Sequence, residues 1–349
     1  MTECPPLKRY PRPMPRIENR LLKAVIYLYT DEEAAEQGKP GGSGFVVGEP
    51  SSLTGVVALF AVTNVHVASL CPVIRTAGDE HGRTIPGVWD DWKPHPENDD
   101  IAVRLIGFVP EDARNQPFDF IPREWFVLPE HFTDAHVDED RQIPRVWPFG
   151  PGDEVVMLGR FLGHDGGSSN APSARFGHLA IGSPVAIDHP LGHTQSSFLI
   201  ECRSVTGFSG SPVFMFREMD TLGAGPIPIG SETHGTSGLP RLLGVDWGNL
   251  DRVASTTYSV DWSSGPDRTL GNWSGMLVAV PAWRLASLLD SPEVSRLKKD
   301  AEDELRERTK GVNLDFLNPD GTEFDRFAEL TGKLVQVPKD EITRQPDDQ

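Results

Sequence analysis

Cysteine is nearly absent: Cys4, Cys71 and Cys202 are the only three in 349 residues. An odd count without paired spacing argues against a disulfide framework and suits a reducing compartment. Long apolar runs are missing as well. No stretch approaches the roughly 18 uninterrupted apolar residues of a membrane-spanning helix. The first twenty residues hold no apolar signal segment, so the expected address is the cytoplasm, away from membranes. Basic residues are outnumbered, 33 against 51 acidic, for a formal charge of −18. That balance excludes nucleic acid as the main partner, because phosphate backbones are bound by cationic side chains that release counterions. No histidine spacing matches a metal site, and Pro190 and Gly192 argue against a helical pairing of His189 with His193. No glycine-rich phosphate loop occurs, so neither a metal nor a cofactor is implied.

Glycine and proline are abundant, at 34 and 31 residues, and they separate short runs of Val, Ile and Phe. This punctuation predicts an all-β body with many turns. Residues 1–20 read as an extended arm and 21–150 as a first β-barrel with a proline-rich crossing segment. Residues 151–290 read as a second barrel with a closing helix. Each half holds about six strands, so the expected architecture is two antiparallel six-stranded β-barrels. Beyond them, 291–349 is expected to be a charged helical extension and tail. In "PAWRLASLLD" (281–290), Leu285, Leu288 and Leu289 share one helical face, while Ser291, Pro292 and Gly311 suit the cap, first turn and stop of a second helix. That helix reads either as a solvated, salt-bridged face or as a docking surface for a regulatory protein.

The stretch "TGFSGSPVF" (206–214) is the densest chemical signal. Small residues there bury little, and glycine weakens regular structure. A backbone that bends tightly to expose the Ser209 hydroxyl would need them. A serine hydroxyl is a weak nucleophile that requires a base, and a histidine base requires a carboxylate to fix its tautomer. Upstream stand His66, in "AVTNVHVA" at the end of an apolar strand, and Asp100, in "NDDIAVRLI" at the entrance of another. The order His66, Asp100, Ser209 places the first two in one half and the serine in the other, as expected for a triad assembled at a barrel junction. Asp99 is the alternative carboxylate.

These blocks resemble the trypsin/chymotrypsin-like serine protease superfamily, in its bacterial-type, disulfide-free branch that includes the high-temperature-requirement proteases. "TNVHVA" is similar to the family's histidine block, "DIAVRL" to its aspartate block and "GFSGSP" to its Gly-Asp-Ser-Gly-Gly-Pro block. The likeness spans residues 21–290. It implies that His66 is the general base, Asp100 its orienting carboxylate and Ser209 the nucleophile. It gives the oxyanion hole to the Gly207 and Ser209 amides. "VDWG" (245–248) resembles the Ser-Trp-Gly strand beside the substrate, with Asp246 in the serine's place and Trp247 and Gly248 following. Arg203 falls where the specificity pocket would have its floor. Phe208 departs from the family's aspartate, which pairs with a newly cut N-terminus, so activation by that route is not expected. The implied function is a serine endopeptidase acting on a protein or peptide substrate in regulatory intracellular cleavage. The alternative is a protease-like peptide-binding module without turnover.

Overall fold

A computed structural model describes residues 17–77, 82–110, 119–133, 136–138, 143–146, 148–160, 167, 169–202, 207–215, 240–251, 259–260 and 273–308. Helix α1 (Asn19–Lys23) leads into β1 (Val25–Tyr29) and α2 (Glu32–Glu36). There follow β2 (Gly42–Pro50), β3 (Val56–Thr63), the one-turn helix α3 (Val65–Ala68), β4 (Val73–Arg75), β5 (Thr84–Ile85), β6 (Lys93–Pro94), β7 (Ala102–Pro110) and β8 (Ile121–Pro122). A small hairpin pairs β9 (His136–Asp138) with β10 (Ile143–Val146). The second half holds β11 (Glu154–Gly159), β12 (Ser173–Leu179), β13 (Val185–Asp188), β14 (Thr194–Glu201) and β15 (Pro212–Met215). It continues with β16 (Arg241–Asp251), β17 (Ser259–Val260) and β18 (Trp273–Pro281), and ends in α4 (Ala282–Leu289) and α5 (Pro292–Arg308).

The apolar runs become strands because both of their faces are covered. In β1, β3 and β7 every residue is buried, so the sequence shows continuous Val, Ile, Leu and Phe instead of alternation. The first sheet runs β5-β4-β1-β2-β3-β7-β6, with β8 added parallel to β2. The second runs β12-β11-β15-β16-β18-β14-β13, and β12 also pairs with β14 through His178–Glu201 and Leu179–Ile200. That last pairing closes a ring of six strands. Among the described residues no pairing closes the first sheet, whose end strands β5 and β6 are two residues long, so closure is seen for one of the two expected barrels. One apolar core joins the halves, with Phe45, Phe60 and Val103 of the first sheet packed in the same cluster as Val156, Phe214 and Val245 of the second.

The apolar strand expected to reach His66 stops at Thr63, and His66 sits on α3. Valines at 65 and 67 favour strands, but a turn of helix forms here because the chain must leave the sheet. The Ala68 and Ser69 amides bond back to the Asn64 and Val65 carbonyls, and the Asn64 side chain donates to the Asp100 carbonyl at 2.8 Å. Among the described residues no helix is long and apolar enough to cross a membrane. Cys71 and Cys202 are free and buried, and burial pushes both thiols up to about 11.

Helix α4 buries Leu285, Leu288 and Leu289 as its pattern predicts. Ser291 caps α5, accepting the Val294 amide at 3.4 Å. One face of α5 is not solvated. Val294, Glu302 and Leu305 are buried, and Glu302 accepts the Ser52 amide at 3.1 Å and the Ser52 hydroxyl at 2.5 Å. Arg123 meanwhile ties Glu49 to Asp290 at the end of α4. Both helices are therefore latched to the first sheet. Replacing Glu302 with Ala should cost about 2 kcal/mol, since it removes two bonds to a buried carboxylate that fasten α5 to the loop after β2. Urea unfolding should show a lower midpoint, and hydrogen exchange should show α5 amides losing protection before the sheets.

Candidate active site

Asp100 precedes β7 and is 1% exposed. Its Oδ2 lies 2.7 Å from His66 Nδ1, and its Oδ1 accepts the His66 amide at 3.2 Å. Burial works to raise this carboxyl, yet the neighbouring His66 and its hydrogen bond, with His189 close by, outweigh it and hold the group well below the usual carboxylate range. An ionised carboxylate only accepts, so His66 Nδ1 carries the proton and Nε2 is left as the acceptor. That is the tautomer a general base needs. The His66 side chain is 15% exposed, so its ring meets solvent while its carboxylate does not.

Asp99 has other partners. It pairs with Arg284 of α4, takes the Gln195 amide at 2.8 Å and lies 3.3 Å from His95 Nδ1. Adjacent carboxylates thus divide: Asp99 neutralises a cation, and Asp100 meets an imidazole.

Ser209 occupies a turn between Gly207 (φ +97°) and Gly210 (φ +87°). These backbone angles favour glycine at both positions. At Gly210 space is decisive too, since a Cβ would overlap the Ser43 carbonyl oxygen and the Thr63 hydroxyl. The turn is fastened to the first sheet by Ser43. Its amide donates to the Ser209 carbonyl at 3.0 Å, its hydroxyl donates to the Gly207 carbonyl at 3.0 Å, and its carbonyl accepts from Thr63 Oγ1 at 2.7 Å. Thr63 ends β3, three residues before His66. The serine turn therefore packs against the strand end from which the His66 helix departs. Phe208 is buried beneath the Arg175 guanidinium, 4.9 Å from ring centroid to Cζ.

No family model and no curated protein matches the sequence. Its neighbours among solved structures are proteases. The active form of the Rv3671c protease from M. tuberculosis is 15% identical at a TM-score of 0.38, over 83% of this chain and 93% of that one. The HtrA-type protease AlgW with a tripeptide is 15% identical at 0.39, over 78% of this chain and 61% of its own. Deg5 is 12% identical at 0.35, over 77% and 88%. Likenesses this loose establish no activity.

The remaining expected residues fall in three places. Arg203 lies outside the described residues. Trp247 is wholly buried, its ring 4.5 Å from that of His189 and its Nε1 donating to Ser197 Oγ at 2.9 Å, so the indole faces the core. Asp246 is buried in mid-strand; its backbone accepts the Gly210 amide and donates to the Ser211 carbonyl, and its Oδ1 accepts the Gly248 amide at 3.3 Å. Sequence reasoning missed Ser43, Gln195 and His189. The first two are ordinary polar residues in strands and carry no local signal. The third stood in "HPLGH", where a hairpin would set two histidines side by side.

Burial raises the Asp246 carboxyl to about 8, against a slight lowering by the Gly248 amide. In the unfolded chain this group ionises near 4. Its contribution to stability is therefore complete below about pH 4 and is lost as pH rises toward 8, by up to about 1.4 kcal/mol per unit. Asp246→Asn removes that slope. The variant should melt progressively higher than the wild type between pH 5 and 8, and equal differences across that range in thermal unfolding would contradict a buried neutral acid.

Proposed function

We propose that the chain is a serine endopeptidase in which Ser209 attacks a peptide carbonyl and His66 takes its proton. The observation that carries this reading is the His66–Asp100 pair: a dry, ionised carboxylate sets the tautomer of a histidine whose ring reaches solvent. Asp100 stays charged and steadies the imidazolium that forms when the proton arrives. The Gly207 and Ser209 amides are assigned to the oxyanion, where donors held by positive-φ glycines need no reorganisation as charge develops. His66 then returns the proton to the leaving amine, and water, activated the same way, releases the acyl group. Every group in these steps belongs to the chain.

A substrate position is available beside β16. Its Val245 pairs with Pro212 on one side, and β17 joins that side again only at Leu250. Among the described residues no strand covers Trp247, Gly248 and Asn249 between them. An extended peptide adding there by backbone hydrogen bonds would lie next to the Gly210–Asp246 contact that anchors the serine turn. We assign recognition to the backbone of 247–249 and not to the Trp247 ring.

A fluorophosphonate probe tests the reading. Wild-type protein should label at a single site, Ser209→Ala should abolish labelling, and His66→Ala should slow it at least 100-fold. Absence of labelling in a folded wild-type protein would point to peptide binding without turnover or to a latent form. Cleavage of internal peptide bonds, and not of esters alone, would distinguish an endopeptidase from an esterase using the same groups.

A further inference from the structure

A second histidine meets Asp100 from the opposite sheet. His189 begins the short loop between β13 and β14, where its amide donates to the His193 carbonyl at 2.7 Å and its carbonyl accepts the Gly192 amide at 2.9 Å. Gly192 takes φ +85°, which closes this tight connection. The loop also sets the ring. The Leu191 amide donates to His189 Nδ1 at 3.2 Å, and a neutral imidazole nitrogen that accepts a hydrogen bond carries no proton. The proton of the neutral ring therefore sits on Nε2. That atom lies 3.4 Å from Asp100 Oδ2, the same oxygen that His66 Nδ1 meets at 2.7 Å.

The surroundings leave the ring little choice of direction. Its side chain is 0% exposed, its plane stacks on His193 at 4.3 Å between centroids, and Trp247 lies against it at 4.5 Å. Trp247 is fixed in turn by its bond to Ser197, and Gln195 on the same strand accepts the Asp100 amide at 2.8 Å. The second sheet thus presents both a backbone anchor and a side-chain donor to one residue of the first. A buried polar ring without an assigned partner would be costly; here one nitrogen takes a backbone amide and the other faces a carboxylate.

We propose that His189 is a positioning residue of the hydrolytic site, its Nε2–H holding Asp100 in the orientation that keeps the carboxylate in line with His66 Nδ1. This rests on the serine hydrolase reading for its effect on rate, but the contact itself can be tested without turnover. A ring that merely filled space between Trp247 and His193 would be replaceable by any flat side chain. A positioning donor would not.

The experiment compares wild type, His189→Phe and His189→Gln, the last placing an amide N–H near the position of Nε2. Fluorophosphonate labelling should slow at least 10-fold in His189→Phe and stay within about 3-fold of wild type in His189→Gln. The low-field proton resonance of His66 Nδ1–H should shift or broaden in the Phe variant and persist in the Gln variant. Equal labelling rates in all three, or equal losses in both variants with that resonance unchanged, would overturn the proposal. Should the Phe variant not fold, nitrogen-15 shifts of His189 in the wild type decide: protonation at Nε2 is expected, and a ring protonated at Nδ1 would refute it. A wild type that does not label would reject the hydrolase reading instead, while the resonance and nitrogen shifts would still report on the His189–Asp100 contact.

Discussion

A carboxylate almost without solvent, placed where two sheets meet, constrains everything around it. Asp100 stays ionised only if its lost hydration is replaced by fixed donors. The first sheet supplies the His66 amide and ring, and the Asn64 side chain holds the neighbouring carbonyl. The second brings His189 to the carboxylate, while Gln195 holds the Asp100 backbone by accepting its amide. Moving either half would strip donors from a buried charge, so the contacts that make Asp100 tolerable also fix the relative placement of the halves. A second set of ties runs through Ser43, which binds the serine turn by backbone and side chain alike. The site is the joint between the sheets.

This explains which features could be read from residues alone. Runs such as "VVALFAVT" and "AVRLIGFVP" are buried on both faces, so hydrophobicity is enough to mark them as strands. The His66, Asp100 and Ser209 blocks are local words, each needing its neighbours in a particular conformation, and such needs leave traces in sequence. Gly210 is the plainest example, where angle and space both demand glycine. What stayed hidden depends on distant partners. Whether the first sheet closes is decided by the two-residue strands β5 and β6, too short to show a pattern. The direction of the Trp247 ring depends on Ser197 and His189 across the barrel, not on its strand neighbours. His189 escaped notice because its partner is 89 residues away in sequence (189 − 100), and only the hairpin and the pairing of β14 bring it there.

Carboxylate chemistry here is divided by environment more than by residue type. Asp99 and Asp100 are neighbours in sequence, yet one is paired with the Arg284 cation and the other meets imidazole rings. Asp246, within a strand and offered a backbone amide at Oδ1 among the described residues, is pushed the opposite way by burial. A charge beside cationic or imidazole donors persists; one facing apolar packing takes up a proton. Similar logic lets Glu302 serve as an acceptor in the α5 contact, where both donors of Ser52 converge on it.

The serine turn itself is stabilised without a carboxylate anchor. Phe208 stands where the resembling family carries an aspartate, and it is packed with Val155, Met157 and Val213. Gly159 makes the space, because a Cβ there would strike both the Phe208 ring and the Ser211 hydroxyl. Burying such a ring contributes about 1.5–3 kcal/mol. An ionic anchor at this position would wait for a cationic partner and weaken as its carboxylate titrated. An apolar anchor does neither. A buried Phe208 offers no acceptor to a newly released terminus, so the turn is held by packing and by its ties to Ser43.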